Sequence, residues 1–144
     1  MSVADQFLLA LTAWRENRGG GIAGMQSVIN VICNRARRHG TTPYAECVRR
    51  LQFSSITAVG DPELILWPAQ DDAQFAQAQQ LVNEAASGVL QDITGGAVDY
   101  YAPHAIESDK TITLPDGRTV PFPAHWNQAA VTFTTEVANQ LFFK

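Results

Sequence analysis

Glu16 is the residue whose type and setting best fit acid–base chemistry. It stands in "AWRENRGGGIAGM", at the end of a mostly apolar segment, and Gly19, Gly20 and Gly21 follow it closely. A carboxylate in the last turn of a helix faces the negative end of the macrodipole, and apolar neighbours desolvate it. Both effects favour the protonated form, which a general acid needs to protonate a leaving oxygen near neutral pH. Arg18 opposes them if its guanidinium turns towards Glu16. A solvated surface glutamate is the plain alternative at any helix end.

Other chemistries have weaker support in the residues. His39, His104 and His125 are scattered, with no pairing at i+3 or i+4, so neither a metal site nor a cofactor is expected. Cys47 lies in "AECVRRL" without an activating signature, and Cys33 lies on an apolar helical face, so a buried free thiol is expected there. A disulfide between the two would need oxidising surroundings. Ser54 and Ser55 in "QFSSI" lack a nucleophile elbow, and the glycine run has neither a preceding strand nor a phosphate-binding lysine after it. By elimination the carboxylate is the leading candidate.

The elements that must position Glu16 can be read from local patterns. Ser2 and Asp5 resemble a capping box and open a helix over about residues 3–17. Ala4, Phe7, Ala10, Leu11 and Trp14 share one side of its wheel and Asp5, Thr12 and Glu16 the other, with Leu8 and Leu9 near them. The helix therefore reads as nearly buried all round, except for a polar stripe that looks like the wall of a cleft. A second helix carries Ile22, Met25, Ile29, Ile32 and Ala36 and ends at Gly40. Pro43 starts a short helix over "PYAECVRRL", "QFSSITAVGDP" reads as a loop or short hairpin, and a further helix runs from about Asp72 to Gly88.

The texture then changes. "TGGAVDYYAP" leads into a short aromatic strand, "TITLPDGRTVPF" carries the hairpin signal Asp116-Gly117, and "VTFTTEV" alternates as a strand. Helices followed by a small sheet predict an α+β fold with a helical lobe and a small antiparallel β lobe. At 144 residues a single domain over 1–144 is expected. Apolar residues at 46% and charged residues at 17% place the chain among globular proteins, and a net charge of −4 argues against nucleic acid. Arg35, Arg37, Arg38 and His39 fall at a helix end, where cations complement the dipole. No stretch is long enough to insert in a membrane, and the N-terminus lacks signal-peptide character, so synthesis in the cytoplasm is expected.

"WRENRGGGIAGMQSVINVICNR" resembles the opening motif of the cell wall hydrolases related to the spore cortex-lytic enzyme, with Glu16, Arg18, Gly19, Gly24, Asn34 and Arg35 in register. "QFSS", "DITGGAVDYYAP" and the closing "VANQLFFK" are similar to later segments of that family. There are departures. Gly20 replaces a second Glu, Ile56 stands where a Trp is usual, Gln140 replaces a late His, and residues 107–121 look like an inserted hairpin.

The resemblance implies a lysozyme-like catalytic domain that cleaves the glycan strands of peptidoglycan as a lytic transglycosylase, with Glu16 the catalytic residue and no cofactor. It implies substrate contacts from Arg18, Gln52, Ser54, Tyr100, Tyr101, His104 and Trp126, with Tyr101 preferred over Tyr100 for the site. Core packing is an equal reading for His104 and Trp126, and a self-bonded turn is the alternative for Gln52 and Ser54. Asn34 and Arg35 would hold the lobe interface, while Phe142 and Phe143 read as core. The enzyme would act as a monomer on the cell wall after release or export, as a phage endolysin or an injected effector does. A hydrolase using water and a second carboxylate, Asp99 or Glu107, and a non-catalytic wall-binding module are the alternatives.

Overall fold

The computed structural model describes residues 1–144. Helix α1 spans Val3–Asn17 and starts as a capping box: Asp5 N–H donates to Ser2 Oγ at 3.1 Å, and Ser2 N–H donates to Asp5 Oδ2 at 2.8 Å. A 3₁₀ turn, Arg18–Gly20, joins it to α2, Gly21–His39. Gly21 enters α2 at φ 66° and ψ −155°, a conformation essentially reserved for glycine. Gly40 ends α2 in the left-handed conformation and donates its N–H to the Ala36 and Arg37 carbonyls.

Two expectations about the next segments need correction. Helix α3 covers only Pro43–Cys47, because Arg49 folds back onto Glu46 and Leu51 adopts a positive φ of 65°. "QFSSITAVGDP" forms no hairpin. The Ile56 and Thr57 N–H groups both close on the Phe53 carbonyl, which makes one helical turn, α4 (Ser54–Thr57). Asp61 then caps a 3₁₀ turn over Pro62–Ile65. Helix α5, Ala73–Ala86, starts at Asp72, whose Oδ1 accepts Phe75 N–H at 2.8 Å.

Helix α1 is the hub of the helical lobe and packs against α2, α3 and α5. Its own Leu9, Leu11 and Trp14 join Met25, Ile29 and Ile32 of α2 and Leu81 and Val82 of α5 in one core. Being covered on several sides, α1 does not obey a two-sided wheel. Ala4 and Phe7 are exposed, whereas Asp5 and Thr12 are buried. Thr12 Oγ donates to the Leu8 carbonyl at 2.7 Å, and Asp5 Oδ1 accepts Tyr44 N–H at 2.9 Å. The polar stripe is therefore not a cleft wall; of its three residues only Glu16 reaches a groove.

The chain is α+β, helices first and a small antiparallel sheet after them. Strands β1 (Asp99–Tyr101), β4 (Phe133–Val137) and β5 (Gln140–Phe143) form a sheet in the order β1-β5-β4. Strands β2 (Thr111–Thr113) and β3 (Thr119–Pro121) make a separate hairpin around Asp116-Gly117, with Gly117 at φ 89°. Ala138 and Asn139, both at positive φ, turn β4 into β5. Phe143 lies in the β-lobe core with Tyr101, Leu114, Phe122 and Leu141, while Phe142 faces the other way, onto Val31 and Ala97. Both phenylalanines are fully buried, as expected.

Candidate active site

Glu16 sits in the last turn of α1, half-buried, on an open groove of about 320 Å³ lined by Arg15, Glu16, Asn17, Arg18, Gly19 and Glu63. Its two carboxylate oxygens meet different lobes. Ser55 Oγ of α4 donates to Oε1, and Tyr100 Oη of β1 donates to Oε2 at 3.2 Å. Burial pushes the Glu16 carboxyl above its ordinary range; the bonds from Ser55 and Tyr100 pull it down, and the negative charges of Asp61 and Glu63 add to the rise. Burial raises the Tyr100 phenol as well, and the neighbouring Glu16 charge adds to it, so Tyr100 stays a donor. The result is a carboxyl with raised proton affinity, held by two neutral donors.

Tyr100, not Tyr101, is thus the tyrosine at Glu16, which corrects the preferred choice. Strand alternation decides it: Tyr101 points into the β-lobe core and donates its hydroxyl to the Pro121 carbonyl at 2.8 Å. Trp126 also belongs to that core rather than to the groove. Its ring packs edge-on against Tyr101, Phe122 and Phe143 at 5.5, 5.9 and 5.7 Å. Arg18 lies in the groove but does not turn to Glu16. It forms a fork on Glu63, with Nη1–Oε2 2.5 Å and Nη2–Oε1 3.0 Å, and lies 4.3 Å over the Trp14 ring.

Gln52 and Ser54 lie together, away from Glu16, in a hollow of about 460 Å³ with Val48, Leu51 and Thr57. The helical turn of α4 sends Ser54, the expected saccharide contact, outward and turns Ser55, the residue after it, inward onto the Glu16 carboxylate. His104 is exposed and lines a second hollow of about 490 Å³ with Asn17, Gly19, Gly20, Ala138, Asn139 and Gln140. This hollow shares Asn17 and Gly19 with the Glu16 groove. Another hollow, about 370 Å³ between α1 and α5, is lined by Val3, Gln6, Phe7, Gln79, Val82 and Asn83 and holds no titratable group.

The glycines around Glu16 make room for Asn17. A Cβ on Gly20 would lie 2.6 Å from Asn17 Oδ1 and 2.9 Å from Ala138 Cβ, and one on Gly24 would lie 2.9 Å from Asn17 Cγ. Asn17 Nδ2 in turn donates to Gln140 Oε1 at 2.9 Å, which joins the end of α1 to β5. Gly20 and Gln140, two departures from the resembled family, therefore both border Asn17. Asn34 and Arg35 hold the lobe junction as expected. Asn34 Nδ2 donates to Asp92 Oδ2 and to the Ala97 carbonyl, both at 3.0 Å, while Arg35 bonds the Val98 carbonyl and Asp99 Oδ1.

Several site residues carried no sequence signal. Ser55, Asp61 and Glu63 reach Glu16 only through the folding of residues 53–66. Arg15, next to Glu16, is buried and gathers that segment: its guanidinium donates to the Ser55 carbonyl at 3.0 Å and twice to the Leu66 carbonyl, at 3.1 and 2.8 Å. The carboxylates whose charge reaches Glu16 are Asp61 and Glu63, rather than the expected Asp99 or Glu107. Asp99 is paired with Arg35, and Glu107 is exposed outside the groove. Cys33 and Cys47 are both free, and burial pushes the Cys47 thiol up to about 12, so it is no nucleophile. No group of three or more His, Cys, Asp or Glu is gathered as a metal ion would need. No helix is long and apolar enough to cross a membrane.

No family model matches the chain, and no curated protein or solved structure matches it.

Proposed function

We propose that the chain is a peptidoglycan-cleaving glycosidase of the lytic transglycosylase kind, lysozyme-like in its two-lobed plan, with Glu16 its single catalytic acid and base. The observation that carries this reading is the state of Glu16. It is a half-buried carboxyl of raised proton affinity, on an open groove, bonded by Ser55 and Tyr100 and by no second carboxylate. The resemblance of "WRENRGGGIAGM" to the cell wall hydrolases supplies the substrate class.

In this mechanism protonated Glu16 gives its proton to the glycosidic oxygen between N-acetylmuramic acid and N-acetylglucosamine as the C1–O bond breaks. The Glu16 carboxylate then takes the proton of the muramic acid C6 hydroxyl, whose oxygen bonds to C1 and closes a 1,6-anhydro ring. Glu16 ends protonated, as it began. The intramolecular hydroxyl replaces the water or second carboxylate of other glycosidases. Ser55 and Tyr100 hold the carboxylate in place through both steps and stabilise its charge between them. Every residue named belongs to one chain, so a monomer suffices. The enzyme acts on the wall after release or export.

Hydrolysis is the second reading, and Asp61 and Glu63 give it its footing. Glu63 lies in the groove, yet Arg18 occupies both of its oxygens. Digestion of purified peptidoglycan separates the readings. Turbidity loss with released muropeptides carrying 1,6-anhydro ends, one water lighter by mass spectrometry, is the expected result. Reducing N-acetylmuramic acid ends would assign hydrolysis, and binding without turbidity loss would assign a wall-binding module.

A further inference from the structure

Trp67 stands out because it is large, apolar and open. It is 65% exposed, on the segment that leads out of the Pro62–Ile65 turn. Exposed as it is, it is well held. Phe7 stacks against its ring at 6.5 Å and 22°, and Phe75 braces Phe7 edge-on at 6.4 Å. The Arg15 guanidinium lies 5.1 Å from the ring centroid, and the same guanidinium clamps the preceding carbonyl, that of Leu66, with two hydrogen bonds. Phe7 and Arg15 both belong to α1, so α1 supports the indole while 65% of Trp67 stays open.

The ring is linked to the groove through Arg15. Arg15 lies under Trp67 and also lines the Glu16 groove, and Glu63 enters that groove from the turn immediately before Trp67. An aromatic side chain that is fixed before binding loses little freedom on contact with a ligand. Flat and apolar across its face, with an N–H at its edge, an indole suits a ligand that is apolar on its face and polar at its rim. A pyranose ring has that character: C–H groups lie across its face and hydroxyl or N-acetyl groups around its edge.

We propose that the outer face of the Trp67 indole is a saccharide-stacking platform that seats one sugar ring of the glycan strand beside Glu16. This rests on the peptidoglycan reading above. It also gives Arg15 a role as a positioning residue, since one guanidinium sets both the Ser55 turn that bonds Glu16 and the Trp67 platform.

The test uses the full chain carrying Glu16→Gln, which stops turnover, and purified insoluble peptidoglycan as the probe in a co-sedimentation titration. Adding Trp67→Ala is expected to weaken binding about tenfold, the size of effect typical for an aromatic contact residue. Adding Trp67→Tyr should restore most of the binding. In the active protein, Trp67→Ala should raise the half-saturating peptidoglycan concentration more than it lowers the maximal rate. Binding by Trp67→Ala within twofold of its parent overturns the platform, as does equal weakening by Ala and Tyr, which a merely structural role would produce. If the parent Glu16→Gln protein itself fails to sediment and the unaltered protein clears no peptidoglycan, the functional reading falls and the platform with it. That failure shows before any change at Trp67, so the two are distinguishable.

Discussion

At the scale of residues, Glu16 and the two tyrosines make separable predictions. Glu16→Gln removes the proton donor and little else, so lysis should fall about 10²–10⁴-fold in a turbidity assay. The same change bears on stability, with a sign that follows from burial. The folded carboxyl is raised above its ordinary value of 4.5, so the folded state binds the proton more tightly than the unfolded chain does. Stability therefore declines as pH rises from the unfolded pKa through the folded one, and ionised Glu16 is a net cost at neutral pH. The Gln variant should melt higher than the parent at pH 7 to 8, and this advantage should vanish below about pH 4. Tyr100→Phe removes a bond that holds the Glu16 pKa down, so the alkaline limb of the pH–rate profile should move up. Tyr101→Phe should leave that limb in place and lower stability by about 1 kcal/mol, the loss of one buried hydrogen bond.

At the scale of elements, the joint between α1 and α2 decides what the site can hold. Asn17 lies against Gly20 and Gly24 and reaches Gln140, while the β4–β5 turn packs onto Gly20 through Ala138. A second acid at position 20, as in the resembled family, has no room for its Cβ. Gly20→Glu should therefore add no activity and should destabilise the protein by about 1–3 kcal/mol, read by denaturant unfolding, through overpacking at Asn17 and Ala138. A Gly20→Glu protein of unchanged stability and raised activity would show that this joint yields.

At the scale of the whole molecule, three carboxylates hold separate parts of the fold and set its acid limit. Asp5 is lowered by its bond from Ser2 and ties α1 to Tyr44. Partial desolvation of Asp92, which stays exposed, and full burial of Glu46 would alone raise both. Bonds from Thr94 and Asn34 lower Asp92 at the lobe junction, and bonds from Arg49, Thr41 and His39 bring fully buried Glu46 down to about 2. A lowered folded pKa contributes stability above the ordinary carboxylate value, and this is lost as pH falls through the folded one. For Glu46 that window runs from 4.5 down to about 2. Glu46→Gln should lose about 2 kcal/mol at pH 7, because it leaves hydrogen bonds to a charged group unmade. Its stability should then fall less steeply than the parent's across that window, as melting curves at stepped pH would record.

The sequence by itself determined what local physics controls. Ser2 with Asp5, Gly40, Asp72 and the Asp116-Gly117 turn act over four residues or fewer, and each starts or ends its element where expected. The order of helices before strands, hence the α+β class, followed from the same signals. Glu16 was legible because its neighbours in the chain are also its surroundings at a helix end. The tertiary structure alone decided its partners: Ser55 lies 39 residues away, Tyr100 lies 84 away, and the Arg18–Glu63 fork closes over 45. Tyr100 against Tyr101, and Ser55 against Ser54, are choices of one residue. In a strand one position reverses the side chain, and in a helix it rotates the side chain by about 100°. Packing between lobes sets that register, and no pattern within either segment encodes it. The burial of Asp5 and Thr12 on α1 has the same origin, since the elements packed on α1 cover those positions and leave Ala4 and Phe7 exposed instead.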